Sequence, residues 1–223
     1  MMKKRVLISW SSGKDSAWTL HLLQQRDDVE VVGLVTTVDE QSRQVAIHST
    51  HESWLEKQAE SIGLPLYRTY LPMRPAHDVY AQGIADLIGQ TRHLEVSHWA
   101  MGDLFLSDIR KYREALFHQF GMPLLFPLWK LDTHQLACEM ISQNLKTTIA
   151  SVDTTQLDAS FAGRKFDLEF LAELPSSVDP CGENGEFHTL VTDGPMFKQS
   201  IPLPDIHVDC DDRFAFYFNR AVD

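Results

Sequence analysis

"SWSSGKDS", residues 9–16, decides how the chain is read. It follows a short apolar run and precedes a helical stretch in which Ala17, Leu20 and Leu23 fall on one side at three-residue steps. A turn of small residues between a strand and a helix leaves helix N-terminal N–H groups pointing outward. The helix dipole adds partial positive charge there, so a phosphate is the natural guest. Hydroxyls at Ser11, Ser12 and Ser16 add donors, and Lys14 adds a full charge. The Walker pattern G-x-x-x-x-G-K-[ST] fails twice, because Ile8 stands where its first glycine belongs and Asp15 follows Lys14. This is not the ordinary loop for γ-phosphate transfer. A bare S-x-G-K is equally a serine-rich turn with a solvated lysine; its place directly after a first strand favours the phosphate reading.

Outward from the turn, strands alternate with helices. Residues 6–9 read as a buried strand and 14–25 as a helix. "VEVVGLVTTV" (29–38) is a second strand, too apolar to have a wet face. Ser49 and Glu52 have capping-box spacing before "SWLEKQAESIG" (53–63), a helix that stops at Gly63 ahead of the strand "PLYRTY" (65–70). The pattern continues with a helix in "HDVYAQGIADLIGQ" (77–90), a strand in "VSHWAM" (96–101), a helix over about 108–120 and a strand in "PLLFPLW" (123–129). Right-handed crossovers then imply a doubly wound parallel sheet, an α/β fold, with its ligand at the C-terminal strand ends. After residue 129 the texture changes. "TTIASV" (147–152) predicts one more parallel strand and "DLEFLAEL" (167–174) a short helix, while "FHTLVTD" (187–193), "SIPLPDIHVD" (200–209) and "DRFAFYFNR" (212–220) predict antiparallel strands. The expected division is 1–129, a nucleotide-binding domain, and 130–223, a smaller α+β substrate domain.

The composition narrows the classes. The 223 residues, 43% of them hydrophobic, suffice for a real core. Thirty-one acidic against 20 basic side chains give a formal charge of -11, which repels a polyanion, so nucleic acid is not the expected partner. The cysteines at 138, 181 and 210 form no CxxC pair and no zinc-finger spacing, which fits a reducing compartment. No stretch approaches the roughly 20 apolar residues of a membrane span. The apolar run at the N-terminus ends too soon, and lacks the cleavage site, for a signal peptide. The expectation is a soluble cytoplasmic protein. The aromatic alternation in "RFAFYFNR" (213–220) suits an interface as readily as a core, which leaves a homodimer open.

A second constellation lies in "DPCGENGEFHTLVTDGPMF", residues 179–197. Its glycines let the backbone fold closely around something small while two glutamates and an asparagine converge. A metal site built from Cys181, Glu183, Glu186 and His188 is the rival reading, but the spacing matches no structural zinc pattern.

These two segments carry a resemblance. "SWSSGKDS" resembles the S-x-S-G-G-K-D-S loop of the ATP pyrophosphatase (PP-loop) enzymes, with Ser12 in place of the first paired glycine, where a positive φ would carry a steric cost. The second segment resembles the C-terminal signature of the diphthine–ammonia ligase family within that superfamily. Further matches occur in "GDLFLSDIRKYREAL" (102–116), "GMPLLFPLWKLDTHQLACEMI" (121–141) and "ASVDTTQLDASFAGRKFD" (150–167), and their texture is similar to the shorter, bacterial-type members. The resemblance implies a Rossmann-like, HUP-type fold and ATP with Mg²⁺. It also implies a carboxylate that attacks the α-phosphorus to give an acyl-adenylate and pyrophosphate, after which ammonia displaces AMP.

The implied pyrophosphate ligands are Ser11, Gly13, Lys14, Asp15 and Ser16, with Ser9 and Ser12 also expected at the ATP and Asp15 also holding the metal. Thr36, His48, Gly102 and Asp103 complete the nucleotide site by position. Arg113, Cys181, Gly182, Glu183, Asn184, Glu186 and His188 are expected at the acceptor, and Lys14, Asp15, Glu183 and Glu186 in the chemistry, with a carboxylate near the incoming amine as general base. The alternatives are a PP-loop tRNA-modifying enzyme, for which paired cysteines are wanting, and an ATP or AMP sensor without turnover. Zinc hydrolysis stands further off, since no H-E-x-x-H appears.

Overall fold

The computed structural model describes residues 3–45, 50–203 and 208–217. The chain opens with β1 (Lys4–Ser9), α1 (Lys14–Gln24) and β2 (Val29–Asp39). A short antiparallel pair, β3 (Gln44–Val45) and β4 (Thr50–His51), precedes α2 (Glu52–Ile62), then β5 (Leu66–Leu71), α3 (His77–Gln90), β6 (His98–Ala100), α4 (Ser107–His118) and β7 (Leu124–Leu125). The second half carries α5 (Thr133–Ser142), β8 (Lys146–Asp153), α6 (Leu168–Glu173), β9 (Phe187–Asp193), β10 (Asp209–Cys210) and β11 (Phe214–Phe216).

The first sheet is parallel throughout, in the order β5-β2-β1-β6-β7. Strand order therefore reverses beside β1, and the crevice at its C-terminal end is where a doubly wound sheet binds its ligand. Side-chain alternation along β1 shows both faces covered. Val6 and Ile8 pack with Ala17, Leu20 and Leu23 of α1. Leu7 packs on the other face with Ile84 and Leu87 of α3 and Leu116 and Phe117 of α4.

The expected α/β architecture and the smaller antiparallel half are both present. One expectation fails: β8, which contains "TTIASV", is not a further parallel strand but pairs antiparallel with β9 and β11 in a second sheet, β10-β11-β8-β9. Seven of its eight residues are buried, so its apolar run carries the two-sided signature that a parallel strand would also carry. Of "SIPLPDIHVD", the described part contributes only Asp209 to a strand; residues 201–203 are irregular, and Pro202 has no amide to donate. Helix α5 was not expected. Asp132 caps it by accepting from the Gln135 amide at 2.8 Å, and Leu136, Ala137 and Met140 form its buried stripe. The capping box expected at Ser49 falls outside the described residues. Helix α2 begins instead at Glu52, with the His51 ring accepting from the Ser53 amide at 3.2 Å. Its end is as expected, at Gly63 with φ 80°.

One apolar cluster joins the halves, running from Val6, Ile8 and Trp18 to Phe166, Phe170 and Phe187. The C-terminal half is thereby fixed against α1, directly behind the turn at residues 10–13.

Candidate active site

The chain leaves β1 at Ser9 and turns sharply. Ser12 takes the left-handed conformation, φ 73°, at the position where a glycine would sit without strain. The turn is clamped from behind. The Ser12 carbonyl accepts from the Val191 amide at 3.0 Å and from Gln58 Nε2 at 3.0 Å, while its hydroxyl donates to Thr50 Oγ1 at 3.1 Å. Helix α1 begins at Lys14, whose amide was expected to face a ligand. It donates instead to Thr189 Oγ1 at 3.0 Å, so β9 supplies the helix cap. Ser16 Oγ donates to the Gly13 carbonyl at 2.9 Å and lies 3.4 Å from Ser11 Oγ.

In front of the turn lies a cavity of ≈ 400 Å³, of the size that takes a small-molecule ligand. Its walls gather Ser9, Ser11, Lys14, Asp15, Ser16, Thr36, Gly102, Asp103 and Arg113 with Cys181, Gly182, Glu183 and His188. The two segments singled out in the sequence thus meet in one space. Four expected ligands are not on the wall. The Ser12 side chain is buried against Thr50, Gly13 lies behind Thr189, and Glu186 and Asn184 are bonded to each other. His48 lies outside the described residues.

Lys14 is 2% exposed, and Nζ donates to Asp15 Oδ2 at 2.9 Å and to the Cys181 carbonyl. The Phe166 and Phe187 rings lie 5.7 and 5.6 Å from it. Burial works against its charge, but the Asp15 carboxylate, with Glu183 adding at longer range, outweighs that and holds its pKa above the usual lysine value. Asp15 keeps 28% of its side chain open to the cavity yet is enclosed by protein, so burial raises its carboxyl despite the opposing Lys14 charge. Its Oδ1 has no hydrogen-bond partner among the described residues.

Segment 179–186 is shaped from within. Asp179 Oδ2 accepts from the amides of Cys181 at 3.0 Å and Glu183 at 3.1 Å, and Oδ1 from Thr133 at 2.7 Å. Glu186 Oε1 accepts from the Asp179 amide at 2.8 Å and from Asn184 Nδ2 at 3.0 Å. Glu186 is therefore a brace for this loop and not a wall of the cavity, the reverse of the expectation. Gly182 has φ 71°, and a Cβ there would stand 2.8 Å from the Phe187 carbonyl. Glu183 Oε1 receives the Leu104 amide at 2.8 Å and the Phe105 amide at 3.3 Å, latching the segment to the loop after β6. Gly102 in that loop permits contact with α1, since a Cβ would lie 3.1 Å from the Asp15 backbone.

Burial raises the carboxyls of Glu183 and Asp103, against the Leu104 amide and the Arg113 charge respectively. Among the described residues Asp103 Oδ2 has no hydrogen-bond partner and meets Arg113 as an ion pair at 3.4 Å. Ser9 Oγ accepts the Trp99 indole N–H at 2.8 Å, which commits one of its lone pairs. The Cys181 thiol is pushed far up by burial and donates to the Thr133 carbonyl, so it is no nucleophile. Among the described residues no three His, Cys, Asp or Glu side chains cluster as a potential metal site.

His188 faces the same cavity, and burial, then the Lys14 charge, push its pKa down to about 4. The folded imidazole is neutral where the unfolded one, near 6.5, takes a proton. Between those values the unfolded chain holds more protons, so stability falls as pH falls. Urea unfolding from pH 7 to 4 is expected to show this loss, on the order of 3 kcal/mol at most, and His188→Gln to remove that part of the slope. An unchanged slope would show that the imidazole titrates normally.

Two positions in the assembly were not anticipated. Thr189 lies inside the second segment, but nothing around it in the sequence distinguishes it from its neighbours. Gln58 was hidden in a helix, although its place between Trp54, Leu55 and Ile62 on the buried face was a readable sign.

Comparison with known proteins places similarity over both halves. The family model for the diphthamide synthase N-terminal domain matches residues 2–124, and that for the diphthamide synthase C-terminal domain matches 132–221. A human diphthine–ammonia ligase is 31% identical over 163 residues, covering 66% of this chain and 61% of its own length. The enzyme of that name from Danio rerio is 29% identical over 175 residues, 70% of this chain and 68% of its own. In Schizosaccharomyces pombe the match is 26% over 224 residues, 92% of this chain but 37% of the relative. The chain thus spans about three fifths of the human relative it matches.

Proposed function

Because the chain belongs to the diphthamide synthase family, we propose that it is an ATP-dependent ligase that converts a carboxylate to its amide with ammonia, after the manner of a diphthine–ammonia ligase. The observation that carries this reading is the meeting of Lys14, in the first turn, with the Cys181 carbonyl and Glu183 in one cavity. Residues 1–129 would then form the nucleotide unit and 130–223 the acceptor unit.

In this reading the β- and γ-phosphates of ATP lie against Ser11, Lys14, Ser16 and the Thr189 hydroxyl. That hydroxyl already accepts from the Lys14 amide, which leaves its proton for an anion. Thr36, Gly102 and Asp103 line the nucleoside side, and Arg113 and His188 the acceptor side. The carboxylate oxygen attacks the α-phosphorus, pyrophosphate leaves into the turn, and ammonia then displaces AMP from the acyl carbon. Negative charge grows on oxygens that Lys14 and the fixed donors already face, which is where electrostatic catalysis is strongest. Glu183, held ready by two amides, takes a proton from the incoming amine. Asp15 Oδ1, buried and without a partner among the described residues, would fit as a carboxylate ligand of a Mg²⁺. Such an ion would neutralise phosphate charge. The acceptor class is a carboxylate of the diphthine kind. No helix among the described residues is long and apolar enough to cross a membrane, which is compatible with the cytoplasmic site we propose. The buried, inert Cys181 argues against sulfur transfer.

The test is to supply ATP, Mg²⁺ and ammonium with diphthine and a panel of other carboxylates and to identify the products. AMP and pyrophosphate, formed only with an acceptor, are expected; ADP and phosphate would overturn the reading.

A further inference from the structure

Gln58 lies on α2 with no exposed surface and takes no part in the cavity wall. Its amide is nevertheless used at both ends. Oε1 accepts the Trp10 indole N–H at 2.8 Å, and Nε2 donates to the carbonyls of Ser12 at 3.0 Å and Val191 at 2.7 Å. Trp10 and Ser12 flank Ser11, which reaches the cavity. Val191 lies two residues beyond Thr189, whose hydroxyl caps the Lys14 amide. One side chain therefore fixes the turn on both sides of its ligand-facing residue and registers it against β9.

We propose that Gln58 is a positioning residue for the anion-binding turn, holding Ser12 in its left-handed conformation so that Ser11 and Lys14 face the β- and γ-phosphates. The inference rests on the reading of that turn given above. The need for such a brace comes from residue 12 itself. A serine in this conformation is sterically disfavoured, so an unbraced turn relaxes toward negative φ and swings the Ser11 and Lys14 donors out of alignment. A glycine at this position would need far less holding. Gln58 and Ser12 are thus a coupled pair, and the coupling is measurable.

The experiment compares the 223-residue chain with Gln58→Met, Ser12→Gly and the double variant. Magnesium pyrophosphate and adenosine are titrated separately by calorimetry, with thermal unfolding as a check on the fold. Gln58→Met is expected to weaken pyrophosphate binding about tenfold, the scale of one or two net hydrogen bonds, while leaving adenosine binding unchanged. Made on the Ser12→Gly chain, the same substitution is expected to cost no more than about threefold, because glycine accepts the turn unaided. Equal losses on both backgrounds, or a parallel loss of adenosine, would make Gln58 a general core residue and overturn the inference. If Gln58→Met does not fold, Trp10→Phe removes the bond that orients the amide, together with part of a buried ring beside the cavity, and an unchanged pyrophosphate affinity there overturns it as well. Failure of the unmodified protein to bind pyrophosphate would instead remove the reading of the turn, and this inference with it.

Discussion

Lys14→Met is expected to lower kcat/KM for ATP by on the order of 10²–10³, the loss that follows removal of a preorganised group facing developing charge. The substitution separates charge from packing. Methionine keeps nearly the lysine's length, and its sulfur suits the Phe166 and Phe187 rings that now flank Nζ. What it cannot replace is the pair with Asp15, whose carboxylate is left in an enclosed site without its cation. The single variant is therefore expected to unfold at lower temperature above the ordinary aspartate range, where the stranded carboxyl must either ionise in an enclosed site or hold its proton at a cost. Lys14→Met with Asp15→Asn, which removes both charges, should recover most of that stability and none of the activity. Arginine at position 14 is not expected to rescue, since a planar fork cannot reach both Asp15 and the Cys181 carbonyl along the path of a flexible stem. Steady-state rates and melting curves on the four proteins decide the matter; activity within a few-fold of the starting protein would show that Lys14 does not face the phosphates.

Glu183→Gln is expected to move stability and activity in opposite directions. The Glu183 carboxyl is raised by burial, and Asp15 and Asp103 push it the same way. A carboxyl whose folded pKa lies above its unfolded one contributes stability that is complete below about pH 4.5 and lost as pH rises through the folded value. At neutral pH its charge therefore weakens the free protein. Glutamine keeps an acceptor oxygen for the Leu104 and Phe105 amides, so the latch survives without the charge. The free protein should melt higher, by roughly 2–4 °C for each kcal/mol relieved in a chain of this size. Amide formation should fall about 10²-fold, the lower range for loss of a general base, with little change in KM for ATP. The gain should shrink toward pH 4. A variant that melts lower, or that forms amide at an undiminished rate, contradicts the assigned role.

Lys14 and Glu183 are both legible in the amino-acid sequence, and the reason is physical. A strand, a turn of small residues and a helix place backbone donors at one point whatever the tertiary context, so 9–16 can be interpreted locally. The regular alternation through residue 125 likewise leaves few topologies, and β1, β2, β5, β6 and β7 follow it; the short antiparallel pair β3 and β4 is an addition between β2 and α2. Local reading fails where the determinant is non-local. "TTIASV" is buried on both faces, and nothing inside six residues tells a parallel neighbour from an antiparallel one. Helix α5 carries its cap, Asp132, and its stripe in plain view, but lies beyond residue 129, where the strand–helix alternation no longer guides the eye. Glu186 and Asn184 are separated by one residue, a spacing that suits convergence on a ligand; the left-handed Gly185 between them turns the two side chains on each other instead. Gln58 and Thr189 act across gaps of 46 and 175 residues, beyond the reach of any local pattern.

The nucleotide's bond of cleavage is expected to lie between the turn and segment 179–186. A crystal structure with Mg²⁺ and α,β-methylene-ATP, which cannot be split at that bond, measures it directly. The β- and γ-phosphates are predicted against Ser11, Lys14, Ser16 and Thr189, with the α-phosphorus turned toward Glu183. A nucleotide seated with its γ-phosphate toward Glu183, or bound away from Lys14 altogether, would contradict it.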